Sequence, residues 1–291
     1  MKWEGNRESD NVEDRRGSGG GGMGGIGGKS VGIGTVIIAL VASYFFGVSP
    51  GTVINAINGG GAVAPEATQG PAKAPPADDR EARFVSTVLA DTEDTWTAIF
   101  QKAGQTYSKP RLVLFSGRTQ TACGTGQTAS GPFYCPGDQK IYIDLSFYRT
   151  MQERFRVSGE FAQAYVIAHE VGHHVQNLMG IMDKVDQMRR SGSQAQSNAL
   201  SVRVELQADC FAGVWAKNAD KARSILESGD IEAALNAATA IGDDALQKQA
   251  QGHVVPDSFT HGSSAQRVRW FKRGLESGQV SACNTFDARS L

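Results

Sequence analysis

The stretch that most constrains this chain is His169-Glu170-Val171-Gly172-His173, which has the pattern His-Glu-x-x-His. In an α-helix, residues four apart lie on one face, so the two imidazoles can point at a single ion. Neutral imidazole is a good ligand for zinc, and the adjacent Glu170 can take a proton from a water molecule that the ion acidifies. The stretch therefore predicts a helix over residues 161–179 that carries two metal ligands, His169 and His173, and a general base.

A catalytic zinc site needs a third protein ligand, with the fourth position left for water. Glu205 and Asp209 lie four residues apart in an otherwise apolar run, residues 202–216, which is typical of a buried helix. Two carboxylates on a buried face are costly without partners. We expect Glu205 to bind the metal and Asp209 to accept the second N–H of His169. The alternative is a solvated acidic helix face.

These residues resemble a known class of enzymes. His169-Glu170-x-x-His173 followed by Glu205-x-x-x-Asp209 is similar to the gluzincin metallopeptidases. Residues 131–136, 168–176, 205–213 and 260–264 more closely resemble the bacterial putative neutral zinc metallopeptidase family of the YpfJ-like type. The resemblance covers nearly the whole chain. It implies a zincin-like α+β fold, one Zn²⁺ per chain and a peptide or protein substrate.

Acyl transfer through a tetrahedral intermediate needs a hydrogen-bond donor where the oxyanion forms. His261 and Arg267 are the candidates for this catalytic role. Their spacing is similar to a Thr-His-Pro…Arg stretch of membrane-type gluzincins, although Gly262 stands in place of the proline. The alternative for His261 is an ordinary histidine of a surface loop.

An uncharged apolar stretch, residues 31–48, is long enough to cross a bilayer, because at about 1.5 Å per residue it spans roughly 27 Å. We expect an uncleaved transmembrane helix; the alternatives are a buried core helix and a cleaved signal peptide. Arg15, Arg16 and Lys29 precede the stretch, whereas Lys73 alone follows it before the next domain. The positive-inside rule then places the N-terminus in the cytoplasm and the rest of the chain outside, as a single-pass protein of the cell membrane.

Composition divides the rest of the chain. Residues 1–30 are polar and then glycine-rich, which predicts a disordered cytoplasmic segment. Residues 49–79 are rich in Gly, Ala and Pro and are predicted to be a flexible linker. Residues 80–291 remain for one zinc metallopeptidase domain. The balance of 29 basic and 30 acidic residues argues against a nucleic-acid partner, since a phosphate-binding face would leave a basic excess.

All four cysteines lie beyond the apolar stretch, and their even number suits an oxidising compartment. Of the three possible connectivities we favour Cys123 with Cys135, closing a glycine-rich loop, and Cys210 with Cys283, tying the Glu205 helix to the C-terminal tail. Four free buried thiols are the alternative. A cysteine metal site is disfavoured because there is no Cys-x-x-Cys pair.

Within the domain, apolar spacing predicts an amphipathic helix over residues 80–103 and strands over 110–115 and 140–145, followed mainly by helices. If one of these strands is a sheet edge at the cleft, a substrate backbone could pair with it. The alternative is an edge that only supports the metal helix.

Two further helical regions follow the Glu205 helix. Residues 230–249 are alanine-rich and predict a partly exposed pair of helices, with Asp243 and Asp244 in solvent. A last helix, capped by Thr260 or Ser263, is predicted to end at Gly274.

The sequence thus predicts a mostly helical α+β protein with a small sheet before the metal helix and one N-terminal transmembrane helix. Its predicted activity is zinc-dependent peptide hydrolysis, with Glu170 acting as general base and then as general acid to the leaving amine. One alternative is an anchored binding or scaffolding protein whose structural zinc is closed by a fourth protein ligand, such as Asp209 or His261. Another is a hydrolase of non-peptide amides.

Overall fold

The computed structural model describes residues 1–17, 73–128 and 131–291. The eight α-helices of these residues are α1 (Arg80–Lys102), α2 (Ser146–Phe155), α3 (Glu160–Leu178), α4 (Ile181–Arg190), α5 (Gln194–Arg223), α6 (Asp230–Ala240), α7 (Asp243–Gln251) and α8 (Ser264–Ser277). The strands are β1 (Val12–Asp14), β2 (Arg111–Phe115), β3 (Arg118–Thr121), β4 (Gly124–Gln127), β5 (Phe133–Cys135) and β6 (Lys140–Asp144). The prediction of a mostly helical α+β chain with a small sheet before the metal helix is confirmed.

The main sheet has the order β1-β2-β6-β5. β1 pairs parallel to β2 and β2 parallel to β6, whereas β5 runs antiparallel to β6. β3 and β4 form a separate antiparallel hairpin. The two strands predicted from the sequence, β2 and β6, are therefore both internal, so the condition for a substrate to pair with one of them, a free edge, is not met. Their near-continuous burial, Leu112 to Phe115 and Ile141 to Asp144, fits strands that have a neighbour on each side.

The metal helix α3 lies at the centre of the domain. Residues 161, 162 and 164–176 are all buried, so α3 has no solvent-facing stripe over most of its length. Helix α1 packs on it with an apolar face that includes Phe84, Val88 and Trp96. The Asp79 side chain starts α1 by accepting the Ala82 N–H at 3.0 Å, which satisfies one free donor of the first turn.

Helix α8 packs closely along α5, and glycines make this contact possible. A Cβ added at Gly274 would lie 1.9 Å from the Cys210 carbonyl oxygen, and one added at Gly213 would lie 2.1 Å from that of Phe271. Gly274 therefore lies inside α8 instead of ending it, and the helix ends at Gly278, whose φ is +63°. The predicted end at Gly274 is wrong, because this glycine allows the two helix backbones to pack closely. At the start of the helix, the cap is Ser263, one of the two predicted residues, whose side chain accepts the Gln266 N–H.

Both predicted disulfides are present. Cys123 and Cys135 have Cα atoms 5.8 Å apart, and those of Cys210 and Cys283 are 5.5 Å apart. The first joins the turn between β3 and β4 to edge strand β5, and the second joins α5 to the short 3₁₀ turn that follows α8. The alternative of four free thiols is excluded.

The prediction that residues 1–30 are disordered is wrong for residues 1–17. Trp3 is 3% exposed within the main core, and β1 completes one edge of the sheet. The segment is ordered despite its polar composition, because its charged side chains form ion pairs with the domain; Arg16, for example, lies 2.8 Å from Asp79. The folded unit therefore includes both residues 1–17 and the predicted domain.

The predicted transmembrane helix, residues 31–48, lies outside the described residues, as do residues 18–30 and the linker up to residue 72. Within the described ranges, none of the helices combines the length and the apolar character needed to span a bilayer.

Candidate metal centre

The centre is formed where helices α3 and α5 approach each other closely. A Cβ added at Gly172 would lie 3.0 Å from the Ala208 carbonyl oxygen and 3.1 Å from its Cα. Only small side chains let two helix backbones come this near. Because Gly172 precedes His173 and Ala208 precedes Asp209, this contact brings the His-Glu-x-x-His turn opposite the Glu205-to-Asp209 turn.

The structure brings His169, His173 and Glu205 together. Their candidate ligand atoms all lie within 4.8 Å of one another. Glu205 Oε2 is 3.1 Å from His169 Nε2, and Glu205 Oε1 is 3.4 Å from His173 Nε2. Ligands about 2.0–2.1 Å from a tetrahedral zinc ion are separated by roughly 3.3 Å, so the two separations from Glu205 fit one such ion. The set of two histidines and one glutamate matches a catalytic zinc site with one position left open.

Asp209 fixes the orientation of the first histidine. Its Oδ1 lies 2.8 Å from His169 Nδ1, so the imidazole donates there and directs the Nε2 lone pair toward the cluster. The carboxylate is completely buried and also accepts the Tyr165 hydroxyl at 2.5 Å. Arg267 donates to both of its oxygens, from Nε and Nη2, each at 2.9 Å. The predicted partner of His169 is thus part of a larger hydrogen-bonded group that spans α3, α5 and α8.

The structure gives Arg267 a different place from the one predicted. The guanidinium group lies on the Nδ1 side of His169, buried against Asp209, and also donates to the Ile241 carbonyl oxygen at 3.2 Å. It therefore does not face the Nε2 side where an oxyanion would form. Sequence spacing could not distinguish these two sides, because the side of the ring that Arg267 meets depends on how α8 packs on α5.

The second histidine is oriented by Gln176, which Gln207 holds in turn; the sequence motifs single out neither glutamine. His173 Nδ1 lies 2.9 Å from the Gln176 side-chain oxygen, which accepts its N–H. Gln176 in turn donates to the Val204 carbonyl oxygen at 2.7 Å and to the Gln207 side-chain oxygen at 3.0 Å. Gln207 then donates to the Cys283 carbonyl oxygen at 3.0 Å, next to the disulfide. The signal was available: both glutamines lie within otherwise apolar helical runs, where a buried amide needs a specific partner.

Glu170 is buried but has no hydrogen-bond partner within the part of the chain that the structure describes. Its residue is 7% exposed. Burial raises the pKa of its carboxyl group, while the neighbouring imidazoles partly oppose the rise. A carboxylate in this state is free to bind a water molecule, and a raised pKa makes it a better proton acceptor near neutral pH.

The other charges of the centre stabilise one another. Burial opposes ionisation of Asp209, but Arg267 and His169 hold the pKa of its carboxyl at about 2. Burial also lowers the pKa of His169, yet the Asp209 and Glu205 carboxylates outweigh it and raise the value to about 10 when no metal is bound. Burial opposes ionisation of Glu205 as well, but the His173 and His169 imidazoles outweigh it and lower the pKa of its carboxyl well below the usual range. The centre is therefore suited to a cation, and a metal ion would replace the proton on His169.

His261 lies on the loop before α8, with its side chain 51% exposed. Three successive backbone N–H groups of this loop, those of Thr260, His261 and Gly262, donate to Asp243 Oδ2 at 2.6–3.0 Å. Asp243 Oδ1 lies 3.2 Å from His261 Nδ1. Desolvation lowers the pKa of His261, but the hydrogen bond to Asp243 and the Glu205 charge outweigh it, so that the pKa is raised overall. A Cβ added at the adjacent Gly262 would lie 3.1 Å from the Leu206 side chain, so the loop lies on α5, the helix that carries Glu205.

The prediction that Asp243 and Asp244 are solvated is wrong. Asp243 is 8% exposed and shapes the His261 loop, and Asp244 accepts the backbone N–H and the hydroxyl of Ser264, each at 2.7 Å. A charged pair in an alanine-rich helix usually faces solvent. Here the pair stands at the start of α7, where it meets the N-terminal end of α8.

His174, the neighbour of the second ligand, has a structural role. It is completely buried, with Nε2 2.6 Å from the Ser108 carbonyl oxygen and Nδ1 3.1 Å from the Tyr134 hydroxyl. Its position one residue after His173 turns it about 100° away on the helix, as expected. Through Tyr134 it holds edge strand β5 against the metal helix.

Comparison with known proteins agrees with this centre. The family described as "Putative neutral zinc metallopeptidase" matches residues 1–286. The chain is 54% identical over 292 residues to the uncharacterized protein YpfJ of Escherichia coli (strain K12), covering 98% of this chain and 99% of that protein. It is 41% identical over 219 residues to the uncharacterized protein Rv2575 of Mycobacterium tuberculosis (strain ATCC 25618 / H37Rv), covering 72% and 73% respectively. No solved structure matches the chain. On the extent of the family match and the YpfJ identity, this protein belongs to the putative neutral zinc metallopeptidase family.

Proposed function

We propose that the protein is a zinc-dependent peptidase whose centre is His169, His173 and Glu205, with one ion per chain. The observation that carries the proposal is that three ligand atoms converge beside a buried carboxylate, Glu170, that has no partner among the described residues. When bound, zinc would supply Lewis-acid chemistry, acidifying water and polarising a carbonyl oxygen. Two imidazoles and one carboxylate are a donor set suited to this ion.

Side chains of the protein would transfer the proton, stabilise the oxyanion and orient the metal ligands. The Glu170 carboxylate would accept a proton from the attacking water and deliver it to the nitrogen of the leaving amine. In its protonated form, which the raised pKa favours, His261 would donate from Nδ1 to Asp243 and from Nε2 to the developing oxyanion. Asp209 and Gln176 would hold the two ligand imidazoles in the tautomer that leaves Nε2 unprotonated.

An extended peptide backbone is the substrate that the sheet favours. β5 is hydrogen-bonded to β6 on one side and has no strand on its other side among the described residues. Tyr134 of β5 contacts His174 and Asn177, so this strand lies on α3, the helix that carries His169 and His173. A substrate strand could add to β5 through main-chain hydrogen bonds. The predicted pairing at a sheet edge is thus kept as a proposal, but on a different strand.

The alternative of a structural zinc requires a fourth protein ligand. Asp209 is not available for this, because both of its oxygens are occupied by Arg267, and Oδ1 also by His169 and Tyr165. The group of potential ligands within the described ranges contains three residues. These observations favour an open position and therefore the enzyme.

The compartment is also a proposal. Two disulfides in a chain of this size favour an oxidising environment, so we place the domain outside the cytoplasm. Membrane attachment through residues 31–48 rests on the sequence alone.

The test is the substitution Glu170→Gln in the full-length protein. We expect the zinc content to stay at that of the parent and the rate of peptide hydrolysis to fall about 10²–10⁴-fold, because the ligands remain while the proton acceptor is lost. Hydrolysis is measured with a peptide library, and metal content on the same sample. Glu153→Gln, an exposed glutamate of α2, is the matched control and should change neither quantity. An unchanged rate for Glu170→Gln would refute its role.

A further inference from the structure

The N-terminal segment, residues 1–17, docks on the domain near the start of the metal helix. The Trp3 ring packs edge-to-face on Phe84 with centroids 5.4 Å apart. The indole N–H donates to Glu160 Oε2 at 2.8 Å, and Glu160 is the first residue of α3. The Arg80 guanidinium lies over the same ring at 5.0 Å and also donates to Glu160. The segment therefore anchors a residue of the central helix.

The same segment supplies one strand of the main sheet. Val12, Glu13 and Asp14 pair with Leu112, Val113 and Leu114 of β2 in parallel register. The pairing continues at both ends, because the Leu112 N–H donates to the Asn11 carbonyl oxygen at 2.9 Å and the Arg15 N–H to that of Leu114 at 2.8 Å. Without β1, the buried strand β2 would become an exposed sheet edge.

Charged side chains of the domain depend on this segment for their partners. Glu93 of α1 has no exposed side-chain surface and accepts hydrogen bonds from Ser9 at 2.6 Å, Asn11 at 2.7 Å and Arg7 at 3.0 Å. In the other direction, Glu13 of β1 is bound by Arg111 at 2.9 Å and Lys140 at 3.0 Å. Among the described residues, Glu93 has one further ion-pair partner, Lys109 at 3.4 Å, so the segment supplies most of the contacts that offset the cost of burying this charge.

From this docking we infer that residues 1–17 and 73–291 lie on the same side of the membrane. A single crossing by the intervening residues, as the sequence predicts, would separate the two parts by a hydrocarbon layer about 30 Å thick. Hydrogen bonds of about 3 Å and a shared sheet cannot form across that layer. The same conclusion holds if the segment docks on a neighbouring copy, since both copies have the same orientation. Docking and the single-pass topology therefore exclude each other.

Cysteine labelling in cells that express the full-length protein tests this inference. Asp10→Cys places a thiol on the exposed surface of the segment, and Lys272→Cys places one on the exposed face of α8. Each variant is treated with a membrane-impermeant maleimide before and after the cells are permeabilised. The parent chain gives the background, because its four cysteines are paired in disulfides. We expect both variants to behave alike: both labelled in intact cells, or both labelled only after permeabilisation.

Labelling of one variant in intact cells and of the other only after permeabilisation would overturn the inference. A second measurement tests directly whether residues 1–17 are docked on the domain. Glu8 and Arg83 form an exposed ion pair at 2.9 Å across the contact, so Glu8→Cys with Arg83→Cys should be joined by a short bis-maleimide in membranes. Each single variant is the control and should give no cross-link. Absence of the cross-link while both thiols react with free maleimide would also contradict docking.

Discussion

Arg267 offers a sharp test of how the centre is held together. Its side chain is 3% exposed and that of Asp209 is completely buried, so the two charges are nearly removed from water. Substitution of Arg267 by Met keeps most of the side-chain length but deletes both hydrogen bonds to Asp209. Breaking a buried ion pair by removing one partner typically costs about 3–5 kcal/mol. Because His169 and Tyr165 still donate to Asp209, we expect the lower part of this range, about 3 kcal/mol.

The same substitution should weaken metal binding, because a mobile Asp209 no longer fixes the His169 imidazole. Loss of such an outer partner typically lowers metal affinity about 10–100-fold. Unfolding of the metal-free protein in urea measures the first effect, and competition with a zinc-binding dye measures the second. Arg267→Lys keeps the charge but loses the bidentate geometry, so its free energy of unfolding and its zinc affinity should lie between those of Arg267→Met and the parent.

Lys272→Met is the matched control, since Lys272 is an exposed cation of the same helix. It should change neither the free energy of unfolding nor the zinc affinity. Parent-like values for Arg267→Met in both assays would refute the view that Arg267 holds the centre together. A loss of stability with unchanged zinc affinity would leave Arg267 as a packing residue only.

Three further predictions follow from the fold and the charges. Gly274→Ala should lower the free energy of unfolding by about 3 kcal/mol or more, because its Cβ would overlap the Cys210 carbonyl oxygen. Gly252→Ala is the comparison, because its φ of +78° would strain an alanine while its Cβ would meet nothing within 4 Å; it should cost less, and an equal loss at both sites would contradict the packing argument. Replacing Cys210 and Cys283 by Ala should lower the free energy of unfolding by about 4 kcal/mol, against about 3 kcal/mol for Cys123 and Cys135, because the closed loops span 73 and 12 residues. Urea unfolding measures both losses, and a larger loss for the Cys123–Cys135 pair would contradict the loop-length argument. The pKa of His169 is raised from 6.5 to about 10, so the stability that its protonation contributes is complete below pH 6.5 and is lost as pH rises toward 10. The free energy of unfolding of the metal-free protein should therefore fall between pH 7 and 9, by at most about 1.4 kcal/mol per pH unit. An equal slope in a His169→Phe variant would show that another group causes the effect.

Much of the centre could be predicted because it depends on helix geometry alone. His169 and His173 are four residues apart, as are Glu205 and Asp209, and in a helix this spacing places each pair on one face whatever the rest of the chain does. The same local regularity made α1, α3 and the two internal strands predictable from apolar spacing. The disulfide pairing, favoured on the sequence, is the one that the structure shows.

What local spacing could not supply was decided by contacts between residues far apart in the chain. Arg267 binds Asp209 instead of facing a substrate because α8 packs against α5 through Gly213 and Gly274. Gln176 and Gln207 become partners only after α3 and α5 are brought together. Residues 1–17, with few apolar side chains, fold because the domain supplies a strand edge and oppositely charged partners that lie more than 60 residues further along the chain. Sequence periodicity shows which face of an element will be buried, whereas the identity of the neighbour that covers that face is a property of the tertiary structure.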